Sequence, residues 1–478
     1  MSGVMKKQSI LQLHRAMSFA VVASAVFLSH ADTNAVSFDA GADLRIRQEI
    51  MKNVPGTPGG GVLSPVARNK SKNHMRFRAR VWGELSLGEH FRLFSRFTDE
   101  PRWNVTPQNT RACTFPDEVI LDNLYLEGLA LFDGALDFRF GRQDMWEKGR
   151  NLYGLDHVFM DGTPGDGSRT VYTDMARATW HVTEESQLDG FVLYDSDRNK
   201  LRWGTGRARN RSLNGLGGND PEMDEFGAGL VWGSNMGGPD AVPYQLFTVF
   251  KKEYSYHRKG VKHPGKDLTA IGARIRPRVS EDLSFDFEGI SEVGETSDGR
   301  FCNAWSGFAG VDYHPHVDWG FSPRAKLSFH YMSGDKNAAR EDGGHGAWDP
   351  LWGRGVNDSE LFLYGTHYGA AWWSNMSYLK ATLMADFGRY HSLSLCTGPM
   401  FAAEEDGLGH ADRGGGDFKG LLSQARYGFP LLVAPKNASG MKRFEIFGHL
   451  LAEFFNPGDY YDSRRPSWFV RWQIDFKF

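Results

Sequence analysis

The sequence predicts an all-β protein: a transmembrane antiparallel β-barrel of about 18 strands, with short periplasmic turns and long extracellular loops. Three observations lead there. Many stretches alternate apolar and polar residues with a period of two, the period of a strand. Short polar turns alternate with long loops rich in Gly, Asp, Asn and Pro. An export signal stands at the N-terminus, and no later run reaches the roughly 18 apolar residues that a membrane-spanning helix needs.

The elements follow in chain order. Lys6, Lys7 and Arg15 precede the apolar AMSFAVVASAVFL (16–28), and Ser29-His30-Ala31 is a small-x-small cleavage site, with a second after Ala35. Residues 1–31 therefore read as a secretory signal peptide and 32–478 as one barrel domain. In the first strand, Phe38, Ala40, Ala42, Leu44 and Ile46 alternate with Asp39, Asp43, Arg45 and Arg47. HMRFRARVWGELSL (74–87) repeats the pattern with Met75, Phe77, Ala79, Val81 and Leu85 against Arg76, Arg78, Arg80 and Glu84. DLSFDFEG (282–289), PRAKLSFHY (323–331) and MKRFEIFGHLLAEFF (441–455) continue it. The chain closes on WFVRWQIDFKF, which sets Trp468, Val470, Trp472, Ile474, Phe476 and Phe478 on one face.

Short turns are expected near Gly88, Asp133-Gly134, Glu184-Glu185, Asn235 to Pro239, Glu281-Asp282, His314 to Gly320, Asp386 to Gly388 and Pro435 to Gly440. Their spacing averages about fifty residues, so each interval is expected to hold two strands and one long loop. Long loops are expected at 51–73, 99–117, 143–170, 196–222, 253–266, 334–365 and 404–418. These eight turns join sixteen strands, and the first and last strands complete eighteen. Strands one and eighteen can then pair, which removes the open edges that lipid does not tolerate. Alternation alone also suits a soluble sandwich or propeller. The export signal, Trp and Tyr near strand ends, and an aromatic last residue in register with the apolar face favour the outer membrane.

A net charge of -3 gives no global field for nucleic acid. Cys113, Cys302 and Cys396 are far apart and form neither a disulfide framework nor a zinc knuckle. Alternation places Arg45, Arg47, Arg76, Arg78, Arg80, Arg92, Arg96, Arg139, Arg177, Arg274 and Arg471 on the face away from lipid, and Arg142 is assigned to the pore lining with them. Most come from the first few strands and are expected to form a ladder on one wall. Asp39, Asp43, Glu84, Asp122, Asp137, Asp286, Glu288, Glu445 and Glu453 are expected to share that lumen and keep the arginines apart. Such charges can simply pair across strands and hydrate a wide lumen. Guanidinium forks also match carboxylates, and rings of Arg or Lys select anions in pores.

Three segments resemble the alginate export family of outer-membrane porins: YMSGDKNAAREDGGHGAWDPLWG (331–353), LDFRFGRQDMWEKG (136–149) and FFNPGDYYDSRRPSWFVRWQIDFKF (454–478). Their order covers essentially the whole mature chain, and Trp348 and Trp352 stand where the family is expected to have Phe. The resemblance implies an eighteen-stranded monomeric barrel with an electropositive lumen that passes an anionic polysaccharide or related solutes outward. It also implies periplasmic export partners. The barrel-assembly machinery is expected to read the strand ending at Phe478.

No G-x-S-x-G, H-E-x-x-H or P-loop occurs, so no enzyme, metal or other cofactor is expected. GAGLVWG (227–233) reads as a strand whose glycines make a smooth wall. Asp312, His314, His316 and Asp318 alternate like metal ligands but read as a solvated turn around Pro315. The acidic loops 161–167 and 404–417 have calcium chemistry but read as surface loops. Two other functions stay open beside the saccharide channel: a general diffusion porin and a non-conducting barrel that displays its loops. A plug would need apolar loop segments, and 334–365 has Trp348, Leu351 and Trp352 to fold inward.

Overall fold

The computed structural model describes residues 36–53, 71–106, 118–143, 158, 173–195, 202–204, 224–234, 243–258, 261–336, 346–352, 359–361, 374–388, 390–405, 415–433, 444–461 and 464–478. The strands begin with β1 (Val36–Lys52), β2 (Lys72–Leu87), β3 (Phe91–Asp99), β4 (Arg102–Thr106), β5 (Glu118–Ala130), β6 (Leu136–Gln143), β7 (Thr173–His181) and β8 (Ser186–Asp195). The middle of the chain supplies β9 (Arg202–Gly204), β10 (Glu225–Ser234), β11 (Tyr244–Glu253), β12 (Tyr256–Arg258), β13 (Val261–His263), β14 (Lys266–Ile275) and β15 (Leu283–Thr296). The last are β16 (Phe301–Tyr313), β17 (Phe321–Met332), β18 (Met376–Phe387), β19 (His391–Phe401), β20 (Phe418–Val433), β21 (Glu445–Pro457) and β22 (Ser467–Lys477).

Eighteen of these strands pair in sequence order, all antiparallel, into one sheet. β4 and β9 extend it against β2 and β5, and β12 pairs only with β13. The sheet closes where β22 pairs with β1, from Asp43↔Lys477 to Lys52↔Trp468. Closure gives each of the eighteen strands two neighbours, the condition for crossing lipid with strands. Six of the eight predicted short turns fall between paired neighbours at one end of the barrel; those at 235–239 and 435–440 lie outside the described residues. At the opposite end the expectation of a long loop in every interval fails once. β15 and β16 are joined by only Ser297–Arg300, where Thr296 Oγ1 accepts from Arg300 N at 3.1 Å. β15 and β16 are long strands and take up the residues that a loop would have used.

Alternation sorts the two faces as the period requires. Val81, Leu230, Ile271 and Leu383 stand exposed on the outside, Leu383 at 62%. In a soluble sheet such a band would be buried; here lipid covers it. Phe132, Trp180, Trp232, Trp319 and Phe387 stand exposed toward the short-turn end, and Trp103, Tyr254, Phe301 and Phe401 toward the other, the places of the two interfacial girdles.

The inner face is less uniformly polar than alternation predicts. Phe191, Leu193, Val231, Val249 and Leu268 are buried on the β8–β14 wall, and Met376, Met400, Leu422, Leu451, Phe455 and Phe469 on the β18–β22 wall. They share one cluster with Val158, Trp348, Leu351 and Leu361, which come from loops. These loop residues pack on the inner face toward the long-loop end, and the wall facing them is apolar. Each such side chain contributes about 1.5–3 kcal/mol by leaving water.

Candidate functional site

The arginines expected on the inner face gather, with one exception, on one wall. Arg471 is on β22, Arg45 and Arg47 on β1, Arg76, Arg78 and Arg80 on β2, Arg92 and Arg96 on β3, Arg139 on β6 and Arg177 on β7. These strands and β5 are consecutive neighbours in the barrel. Arg274 stands apart on β14, where Asp286 of β15 accepts from its Nε at 2.8 Å.

Carboxylates interleave the arginines. Asp43 accepts from Arg80 Nε at 2.7 Å and lies 3.4 Å from Arg78. Asp122 occupies a bulge opposite Arg96, accepting from Arg96 Nε at 2.9 Å and Thr98 Oγ1 at 2.7 Å. Glu127 binds Arg139, and Asp189 binds Arg177. Glu84 faces the lumen on β2, in register with Phe94.

Burial grades along this wall. Toward the long-loop end Arg45, Arg47, Arg76 and Arg471 are almost wholly buried, Arg47 at 0% exposure. Glu49 sits among them: it accepts from Arg471 at 2.6 Å, lies 3.0 Å from Arg47 Nε and 3.5 Å from Arg76, and shares a 2.7 Å hydrogen bond with His74. Glu100, just beyond β3, pairs with Arg45 at 3.2 Å and with Arg76. Burial would push the Glu100 carboxyl up, but Arg76, Arg45 and Arg47 outweigh it and hold the group down to about 2. Toward the short-turn end the wall opens, and the Arg80, Arg96 and Arg139 side chains keep 17%, 14% and 14% exposure. Arg92 is half-buried and makes no hydrogen bond or ion pair among the described residues.

This gradient corrects part of the expected pore lining. Arg45, Arg47, Arg76 and Arg471 face inward but are enclosed by acids and loop, so they build the wall rather than line an aqueous path. Arg142 is a second correction. It pairs in register with Leu124, which is exposed on the outside, and binds Asp174 of β7 at 2.8 Å. Three positions from Arg139, it takes the opposite face of β6. Glu49 and Glu100 were absent from the expected lining. Glu49 continues the alternation of Arg45 and Arg47, so the period marks it; Glu100 stands past the end of β3, where no period reaches.

The connection between β17 and β18 enters the lumen. Trp348, Leu351 and Leu361 are buried there. On one wall, Lys251 of β11 donates to the Leu351 carbonyl at 2.8 Å, Asp349 pairs with Lys266 of β14, and Trp352 Nε1 donates to Glu225 of β10 at 3.0 Å. The Trp352 ring lies on bare backbone at Gly227, where a Cβ would come within 2.3 Å of it. On the other wall, Glu453 of β21 accepts from Ser359 Oγ and from the Glu360 and Leu361 amides at 2.8–2.9 Å, while Arg471 of β22 binds Glu360 at 2.8 Å. Six wall strands separate these anchors in one direction and seven in the other. The connection is therefore anchored on opposite walls of the lumen, residues 349–352 on one and 359–361 on the other. Burial raises the Asp349 carboxyl, yet Lys266 and Lys251 hold it below its ordinary value. Gly227 is thus more than smooth wall.

The other candidate chemistry disperses. Asp312 pairs with Arg324, His314 with Ser322 at 2.8 Å and His316 with Asp282 at 2.5 Å, so that turn directs its groups to different partners. No group of three potential metal ligands occurs among the described residues. Cys302 and Cys396 are free and buried; Cys113 and the 161–167 loop lie outside the described residues. Of the 404–417 loop, 406–414 also lie outside them.

With this geometry in view, the comparisons are consistent. No curated protein matches the chain. OccAB1 of Acinetobacter baumannii superposes with a TM-score of 0.53 at 8% identity, covering 94% of this chain and 100% of that one. OccD3 (OpdP) of Pseudomonas aeruginosa gives 0.52 at 8%, covering 94% and 93%, and the outer membrane protein OprD of the same organism 0.50 at 9%, covering 94% and 96%. At these identities the likeness is one of fold. A family model described as "Alginate export" matches residues 38–395, most of the barrel. The chain belongs to the alginate export family and is an outer-membrane β-barrel channel.

Proposed function

We propose that this channel passes an anionic polysaccharide or related anionic solutes, guided by the partly exposed guanidiniums on the β2–β6 wall. The observation that carries the reading is the contrast along that wall. Its arginines are buried toward the long-loop end, whereas Arg80, Arg96 and Arg139, each bound to an acid, keep part of their side chains exposed, and Arg92 has no hydrogen bond or ion pair among the described residues. Fixed guanidiniums on a low-dielectric wall raise the local concentration of anions and bind carboxylates as forks. The family match and porin-like fold support transport over catalysis, and no enzymatic step is proposed. Membrane insertion is proposed to use the barrel-assembly machinery, which would read β22 and Phe478; the last residue is bonded into the sheet through Phe478 N to Ala42 O at 3.0 Å. Periplasmic export partners are proposed on the family's account alone.

The test is a planar bilayer. The refolded protein is expected to be anion-selective in a salt gradient and to be blocked by oligo-uronates. Replacing Arg80, Arg92 and Arg96 with Gln is expected to raise the half-blocking concentration about tenfold, one charge-assisted contact's worth. Weak selectivity without block would mean a general diffusion porin. No conductance from a folded barrel would mean loop display.

A further inference from the structure

The lipid face is not apolar everywhere. Where β22 meets β1 and β1 meets β2, its long-loop end carries polar groups. Lys52 continues the outward row of Ile46, Gln48 and Ile50, since Glu49 and Met51 between them are buried on the inner side. It stands in register with Trp468 of β22, which belongs to the outward row of Val470 and Trp472. Arg464, just before β22, is exposed. The chain there is tied to the end of β1: Asn53 Nδ2 donates to the Pro466 carbonyl at 2.9 Å, and Ser467 Oγ donates to the Asn53 carbonyl. Lower on the same face Trp472 Nε1 donates to Gln48 Oε1 at 2.9 Å, and Gln48 Nε2 to Asn73 Oδ1 at 3.0 Å. Plain hydrocarbon does not favour such a row of amide and indole groups.

Neither Lys52 nor Arg464 makes a hydrogen bond or ion pair among the described residues. Other cations toward this end of the barrel have an acid. Lys252 binds Asp267 at 2.8 Å, Arg300 lies 3.2 Å from Asp298, and Lys336 lies 3.5 Å from Glu404. The long-loop end is the outer-leaflet end in barrels of this kind, and Trp468 and Trp103 mark its headgroup level.

We propose that this seam binds the phosphorylated glycolipid of the outer leaflet, with Lys52 and Arg464 receiving its phosphates. Cations at the headgroup level are attracted to anionic lipids, and phosphate is the counter-charge these two lack within the chain. Asn73 makes no donor contact through its amide nitrogen among the described residues, and its N–H groups suit the hydroxyls of a sugar headgroup. Ile46, Ile50 and Val470 lie on the same face for the acyl chains. Lys52 stands outside the sheet, so a solute in the lumen does not reach it. The site is therefore separate from the transport path, whatever the lumen passes.

The test is native mass spectrometry of the full-length refolded protein, titrated with diphosphorylated lipid A, with its dephosphorylated form and with phosphatidylglycerol. The wild type is expected to bind the diphosphorylated glycolipid at the lowest concentration. Lys52→Gln and Arg464→Gln are each expected to raise the half-saturating concentration about fivefold, and the double variant about twenty-five-fold. Folding of each variant is checked by heat-modifiable gel migration. Lys252→Gln, whose cation Asp267 already holds, is the control and is expected to leave binding unchanged. Wild-type affinity in the folded double variant overturns the site. Equal wild-type binding of phosphatidylglycerol or of the dephosphorylated form also overturns it, and would mean ordinary lipid contact. Displacement of the glycolipid by oligo-uronate would move these cations to the transport path and overturn it too.

Discussion

Arg45 stands opposite Arg78 across the β1–β2 ladder, and Arg47 opposite Arg76. Like charges directly opposed destabilise a sheet unless counter-charges intervene. Glu49 and Glu100 intervene, each shared among several guanidiniums. Replacing Glu100 with Gln would leave Arg45 and Arg76 buried without that carboxylate. The expected cost is about 3 kcal/mol, the scale for breaking one side of a buried pair, read as a lower denaturant midpoint for loss of the compact gel band. The pH dependence has a definite sign. Because the folded carboxyl titrates near 2, below its ordinary 4.5, the stability it contributes is present above 4.5 and is lost as the pH falls toward 2. The wild-type midpoint should therefore fall with acidification through that window, and the Glu100→Gln variant should fall less. An equal slope in both would show that Glu100 is not the group responsible.

At the scale of the element, the described parts of the β17–β18 connection are anchored on two walls of the lumen. Its anchors are specific enough to break one at a time. Gly227→Leu places a side chain where the Trp352 ring lies and is expected to free that end, raising conductance severalfold with the barrel intact. Asp349→Ala removes the partner of Lys266 and is expected to act in the same direction. Since Lys266 and Lys251 hold Asp349 below its ordinary 3.8, that anchor should persist from neutral pH down to about that value and release only in stronger acid. Single-channel conductance across this range checks it; a rise already between pH 7 and 5 would contradict it. The sequence carried part of this element. Trp348, Leu351 and Trp352 in a Gly- and Asp-rich stretch mark a loop with something to bury. The walls it reaches were not legible, because Glu225, Lys251, Glu453 and Arg471 lie about a hundred residues away along the chain and only closure of the barrel brings them within reach. For the same reason the apolar inner faces of β8 and β21 read as exceptions to alternation until the loop is seen against them.

At the scale of the whole molecule, strand number and closure were legible because one physical rule, the period of two, repeats in every strand. Turn positions were legible because polar punctuation recurs in each hairpin. Facing was legible wherever the strand is regular: Arg76, Arg78 and Arg80 follow their parity, whereas Arg142 does not share the parity of Arg139. What alternation cannot give is depth. It sorts a residue to the inside but not to a buried ion-pair cluster or an open path, and that difference separates Arg47 from Arg92. The account's central claim is that the open stretch of this wall makes the channel select anions. The most direct measurement is the reversal potential of the wild-type channel in a bilayer under a tenfold salt gradient. The account predicts a potential of the sign set by anion permeation, moving toward zero as oligo-uronate is added. A potential of the opposite sign, set by cations, would contradict it.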